Sequence, residues 1–140
     1  MAKAICIIPA RLESTRFPNK ILTDIQGMLM FERVYHIAQR SGVFLNVFVA
    51  TPNPEILDLC EQRGIAAIPT SFEHPCGSAR VFEAAKTVKG DWDIVVNLQA
   101  DQPFLPLSYL KTVVEAVDAN PVATVAYEEL GEKDEHTVKV

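Results

Sequence analysis

An α/β fold with a mostly parallel sheet and helices on both faces follows from three observations. Two apolar runs have strand length, helical stripes fall between strand-like runs, and glycine or proline marks the junctions. The runs are Ala4 to Pro9 and Ile94 to Leu98, both free of charge, as strands buried on two faces must be. At 140 residues, with 49% hydrophobic and 22% charged residues, the chain suits one core and is neither disordered nor membrane-like in composition. A single domain over residues 1–140 is expected.

The elements follow in order. Ala4 to Pro9 is the first strand. Phe31, Val34, Tyr35 and Ala38 recur at helical spacing, and that helix stops at Ser41-Gly42, where glycine accepts a left-handed cap. Val47 to Ala50 is a second strand. Asn53-Pro54-Glu55 then offers an N-cap, a proline in the first turn and an early acid, so a helix runs to about Arg63. Gly64 ends it, and Ile65 to Ile68 is a third strand. Val81, Ala84, Ala85 and Val88 make the next helical stripe, Ile94 to Leu98 the fourth strand, and Leu107, Leu110, Val113, Val114 and Val117 another helix. Val122 to Tyr127 is a further strand. After the polar, acidic stretch Glu128 to His136, Thr137 to Val140 opens one more.

Composition excludes several classes. No apolar run approaches the roughly 20 residues that span a bilayer, and residues 1 to 10 lack a signal peptide's apolar length and cleavage site, so the expected location is cytoplasmic, with no membrane partner. Cys6, Cys60 and Cys76 are odd in number and form no CxxC pair, which argues against a disulfide framework and a zinc site. A net charge of -5 repels polyanions, so no nucleic-acid partner is expected and any phosphate site must be local.

Such a site is offered by Pro9 to Lys20, a polar loop after the first strand that holds three of the 13 cations: Arg11, Arg16 and Lys20. In open α/β sheets ligands bind at the carboxyl ends of the strands. Arginine forks match phosphate oxygens, lysine adds a mobile charge, and Ser14 and Thr15 add hydroxyls, a set suited to a triphosphate. The competing reading is an exposed loop that merely solvates its charges. The loop is neither GxGxxG nor GxxxxGK[ST]. At the end of the fourth strand, Asp101 is a lone acid that can ligate Mg²⁺ bridging phosphates, or can initiate the turn before Pro103. In His74 to Arg80, Gly77 and Ser78 precede a helix whose free N–H groups can read a base or ribose, with His74 as a wall of that pocket and Cys76 structural.

Ile8-Pro9-Ala10-Arg11, Ser14-Thr15-Arg16, Pro18 and Lys20, then Val49-Ala50-Thr51, then His74, Gly77, Ser78 and Arg80, then Asn97, Gln99, Asp101 and Pro103 resemble, in order and spacing, the motifs of 3-deoxy-manno-octulosonate cytidylyltransferases. The resemblance spans the chain. It implies a Rossmann-like three-layer α/β/α nucleotidyltransferase fold of the nucleotide-diphospho-sugar transferase type. It also implies transfer of CMP from CTP to a keto-sugar acid, with release of pyrophosphate, in lipopolysaccharide or envelope polysaccharide synthesis. Arg11, Arg16 and Lys20 would hold the CTP phosphates beside Ala10 and Ser14, and Asp101 would bind Mg²⁺. Gly77, Ser78 and Arg80 would shape the cytidine pocket, and Gln99 would lie near the sugar acid.

The chain departs from the family at four places: Pro52 stands for aspartate, Cys76 for serine, Ser78-Ala79 for threonine-glutamate, and Ala100-Asp101-Gln102 for glycine-aspartate-glutamate. The last change lowers the negative charge near the metal. Family members are longer, and their further part supplies a second metal carboxylate, much of the sugar pocket and homodimer contacts. Residues 1–140 are therefore expected to be the nucleotide-binding portion. Two alternatives stand beside this reading: a related nucleotidyltransferase of the spore-coat or acylneuraminate type, and a nucleotide-binding domain without turnover.

Overall fold

Strand β1 (Ala4–Pro9) is the centre from which the rest of the sheet is built, and its composition explains why. All but its last residue are buried, so both faces must be covered, and it pairs in parallel with β4 (Phe44–Thr51) on one side and β6 (Ile94–Leu98) on the other. Between β1 and β4 lie a 3-10 turn (Lys20–Leu22), a hairpin of β2 (Asp24–Ile25) and β3 (Met28–Leu29), and helix α1 (Met30–Arg40). Helix α2 (Pro54–Arg63), strand β5 (Ala67–Pro69) and helix α3 (Gly77–Ala85) lead to β6. Helix α4 (Leu107–Ala116), β7 (Val122–Val125) and β8 (Val138–Lys139) follow it. The computed structural model describes residues 3–12, 20–71, 77–100, 106–116, 122–125 and 138–139.

The six-stranded sheet runs β5-β4-β1-β6-β7-β8, parallel except for β8, which pairs antiparallel with β7. This is the mostly parallel α/β sheet expected. Alternation along β1 divides the core. Ala4, Cys6 and Ile8 face a cluster with Phe31, Val34 and Tyr35 of α1, Ile56 and Cys60 of α2, and Leu110 and Val114 of α4. Ile5 and Ile7 face Val81, Ala84 and Ala85 of α3, with Trp92 packed at the margin. Helices therefore cover both faces, giving three layers.

Differences from the expected elements have local causes. Ile65 belongs to the exit of α2 rather than to a strand. Gly64 takes a left-handed φ of 70°, Ile65 N–H donates to the Cys60 carbonyl at 2.8 Å, and the Ile65 side chain is buried. Strand β5 consequently begins at Ala67. Strand β4 starts at Phe44, earlier than expected, because its exposed Leu45 and Asn46 hide the strand pattern. Helix α3 ends at Ala85, and Val88 packs on it from the following turns. The β2-β3 hairpin was not expected: its two-residue strands carry no periodicity, and its turn, Gln26-Gly27, has φ of 55° and 87°, the primed geometry that two-residue hairpins favour.

Candidate nucleotide site

The chain runs from β1 leftward to β4 and β5, then returns to the other side of β1 with β6. The sheet thus has a topological switch beside β1, and the crevice at the carboxyl ends of its strands is where open α/β sheets take ligands. Four segments meet along that margin: Thr70-Ser71 after β5, Pro52-Asn53 after β4, Ala10-Arg11-Leu12 after β1, and Gln99-Ala100 after β6. Ile7 pairs with Asn97, and two residues further along each strand stand Pro9 and Gln99. The sequence-expected phosphate loop and the segment leading to Asp101 are therefore on neighbouring strands.

Ala10 is buried and its N–H donates to the Ala50 carbonyl at 2.9 Å, so β1 stays tied to β4 one residue past its end. Arg11, next along, is exposed. Leu12 N–H then donates to Asn53 Oδ1 at 3.1 Å. Ser14 and Arg16 lie outside the described residues, as do Thr15 and Pro18. Lys20 opens the 3-10 turn through which the loop rejoins the fold, and that turn packs against α1.

On the other side of β1, Gln99 is half-buried and its Nε2 reaches toward Asn97 Oδ1 at 3.5 Å, the outer limit for a hydrogen bond. Ala100 is buried. Asp101 lies outside the described residues, and so do Gln102 and Pro103. Among the described residues no group of three or more His, Cys, Asp or Glu side chains could hold a metal ion.

The proposed base-reading segment divides. Gly77 and Ser78, expected just before the helix, are instead the first residues of α3, so the helix begins earlier than its apolar stripe indicated, while His74 and Cys76 lie outside the described residues. Arg80 is 3% exposed, with Nε donating to Thr70 Oγ1 at 3.1 Å and an η nitrogen donating to the Ser71 carbonyl at 3.1 Å. Glu83 Oε1 accepts from Ser71 N–H at 3.1 Å. Arg80 therefore ties the β5 exit to α3, a fixing role that the expectation of a pocket-lining arginine did not include.

Sequence reasoning missed the side chain of Asn53. It occupies the N-cap position of α2 as expected, yet makes no side-chain cap and points its oxygen at Leu12 instead. A polar residue between two prolines at the end of β4, on the margin where ligand loops converge, was the available signal.

Comparison with known proteins agrees with this geometry. The family model described as Cytidylyltransferase matches residues 5–139. The 3-deoxy-manno-octulosonate cytidylyltransferase of Koribacter versatilis is 44% identical over 113 residues, covering 81% of this chain and 42% of that protein. Its counterpart from Francisella tularensis subsp. novicida is 38% identical over 127 residues, covering 90% of this chain and 50% of that protein. A solved CMP:2-keto-3-deoxy-manno-octonic acid synthetase in complex with CTP superposes with a TM-score of 0.77 at 35% identity, covering 82% of this chain and 47% of that one. The chain spans about half the length of the relatives it matches. With a match over nearly its whole length, and with the nucleotidyltransferase architecture in place around β1, the chain belongs to the cytidylyltransferase family.

Proposed function

We propose that the chain is the nucleotide-binding portion of an enzyme that transfers CMP from CTP to an acidic keto-sugar such as 3-deoxy-manno-octulosonate, releasing pyrophosphate for the synthesis of lipopolysaccharide or a related envelope polysaccharide. The observation that carries this reading is that Ala10 to Leu12, which open the cationic loop, and Gln99-Ala100, which lead to Asp101, leave neighbouring strands at the same margin beside the β1 switch. The similarity to a synthetase solved with CTP supports the choice of nucleotide. The two matched 3-deoxy-manno-octulosonate enzymes favour that sugar class over an acylneuraminate. A reaction drawing on CTP suits the cytoplasm.

In the proposed reaction the anomeric hydroxyl of the sugar acid attacks the α-phosphorus of CTP, and the bond to the β-phosphate oxygen breaks. Arg11, Arg16 and Lys20 neutralise the charge that builds on the leaving pyrophosphate, so catalysis is mainly positioning and electrostatics. Ser14 and the Ala10 backbone shape the loop around the phosphates. The first turn of α3, at Gly77 and Ser78, faces the base, and Gln99 the sugar acid. Mg²⁺ favours one or two carboxylates together with waters and phosphate oxygens, and Asp101 supplies one such carboxylate, so the donor chemistry fits this ion. When bound, Mg²⁺ would add positive charge against the phosphates.

Pyrophosphate release with Mg²⁺, CTP and a panel of keto-sugar acids tests the proposal, with CTP binding measured alongside. CTP binding is expected of the chain itself, and turnover with one acid of the whole enzyme that contains it. Clear CTP binding with no turnover on any acid by that whole enzyme would make the chain a nucleotide-binding domain alone. Lys20→Ala and Arg16→Ala should each weaken CTP binding far more than CMP binding, because their charges face the β- and γ-phosphates. Equal losses for the two nucleotides would remove that placement.

A further inference from the structure

Arg11 stands between two residues whose backbone amides are held, one by the end of β4 and the other by the turn that leads from β4 into α2. On one side Ala10 N–H donates to the Ala50 carbonyl at 2.9 Å, a continuation of the sheet ladder. On the other, Leu12 N–H donates to Asn53 Oδ1 at 3.1 Å, a contact between residues 41 apart in sequence. Asn53 is itself fixed. It is 3% exposed, and its own N–H donates to the Oγ1 of fully buried Thr51 at 3.1 Å.

An asparagine at a helix N-cap ordinarily turns its side-chain oxygen onto the second or third amide of that helix. Here the amides of Ile56 and Leu57 donate to the Asn53 main-chain carbonyl, both at 3.1 Å, and Pro54 has no N–H to satisfy. The helix start is largely provided for by main chain, which leaves the side-chain oxygen for the loop across the crevice.

We infer that Asn53 is a positioning residue of the nucleotide site: it fixes the backbone beyond Arg11 and so aims the Arg11 guanidinium at the phosphates of the bound nucleotide. The inference rests on reading the Arg11 loop as the CTP-phosphate holder. A loop clamped on one side only would sample orientations that carry Arg11 away from the phosphates, and binding would have to overcome that freedom. Pinning residues 10 and 12 removes it before the ligand arrives. Asn53 touches no reacting atom in this account; it acts through Leu12 and Arg11.

The test compares the unaltered chain with Asn53→Ala, Asn53→Asp and Asn53→Leu, using calorimetric binding of CTP and of cytidine, NMR exchange of the Leu12 amide, and circular dichroism to establish folding. Asn53→Ala should speed Leu12 exchange and weaken CTP by roughly threefold to tenfold, the scale of one hydrogen bond, with cytidine unaffected. Asn53→Asp keeps an oxygen acceptor and should retain slow Leu12 exchange, whereas Asn53→Leu, of similar volume but without an acceptor, should exchange as fast as Asn53→Ala, an outcome that a packing role alone would not produce. The inference is overturned if Asn53→Ala leaves Leu12 exchange or CTP affinity unchanged, if cytidine weakens as much as CTP, or if Asn53→Asp exchanges as fast as Asn53→Ala. If the unaltered chain binds no CTP, the nucleotide-site reading fails and the aiming of Arg11 falls with it, while Leu12 exchange still decides whether Asn53 holds the loop.

Discussion

Arg80 Nε donates to Thr70 Oγ1 at 3.1 Å, so a cation in the first half of α3 grips the residue that follows β5. With the second bond to the Ser71 carbonyl, the guanidinium holds the strand exit at two points from a buried position. Arg80→Ala should therefore lower stability by about 1 to 3 kcal/mol, since it removes two hydrogen bonds and the packing of a buried side chain, while the half-buried Thr70 hydroxyl and the exposed Ser71 carbonyl can turn to water. Arg80→Lys should recover only part, because a point charge cannot reproduce a two-point fork. Urea denaturation checks both. A loss of cytidine binding at full stability would instead make Arg80 a direct base contact.

A second prediction concerns Glu32, which joins two helices. Its Oε1 accepts from Arg63 Nη1 at 3.0 Å and from Leu29 N–H at 3.2 Å, so one carboxylate pairs α1 with α2 and holds the start of α1. The Arg63 side chain is 36% exposed, and solvent screening reduces the ion pair's worth. Glu32→Ala should cost about 1 kcal/mol, and Glu32→Gln, which keeps an acceptor for Leu29, about half of that. Raising salt in the melt should narrow the gap between Gln and the parent but not between Ala and Gln.

The central strands were legible in the sequence because they are buried on both faces: Ala4 to Pro9 is an unbroken apolar run, Ile94 to Leu98 is broken only by Asn97, and the structure sets the two side by side. The carboxyl ends of those strands then located the candidate site, since topology decides where ligands enter such a sheet. Contacts between distant residues were not legible. Nothing near Leu12 in sequence announces Asn53, and nothing near Arg80 distinguishes a guanidinium turned inward onto Thr70 from one facing a ligand. The β2-β3 hairpin was hidden for another reason, as two-residue strands cannot show alternation and its turn begins with Gln26 rather than the asparagine that usually marks this geometry.

That turn supplies a third prediction. Gln26 sits at a φ of 55°, where asparagine is more at ease, so Gln26→Asn should stabilise the chain by about 0.5 kcal/mol. Gly27 has a φ of 87°, and a Cβ there would meet no atom within 4 Å. Gly27→Ala should thus cost about 1 kcal/mol through backbone strain alone. Thermal melts of the two variants should move in opposite directions.

The fourth prediction is a labelling pattern with a pH dependence. Burial, reinforced by the neighbouring Glu32 carboxylate, pushes the Cys60 thiol up to about 11 from an ordinary 9.0, and burial alone pushes Cys6 up as well. At pH 8 only about one Cys60 in a thousand is thiolate, so iodoacetamide should spare Cys60 and Cys6 until denaturant is added, as peptide mapping would reveal. Because the folded value of Cys60 lies above the unfolded one, its contribution to stability is fully present below pH 9.0 and is lost as pH rises through about 11. Cys60→Ala should flatten that part of the stability profile.

The three-residue strand β5 bears on how the chain behaves when crowded with its own kind. The Ala66 carbonyl accepts from Val49 N–H, and Thr70 N–H donates to the Thr51 carbonyl, so residues 66, 68 and 70 direct their backbone groups at β4, and residues 67 and 69 direct theirs outward. Residue 69 is proline and has no N–H. An incoming strand therefore meets a single amide donor, that of Ala67, along this margin. Proline at that one position makes the margin a poor template for edge-to-edge fibre growth.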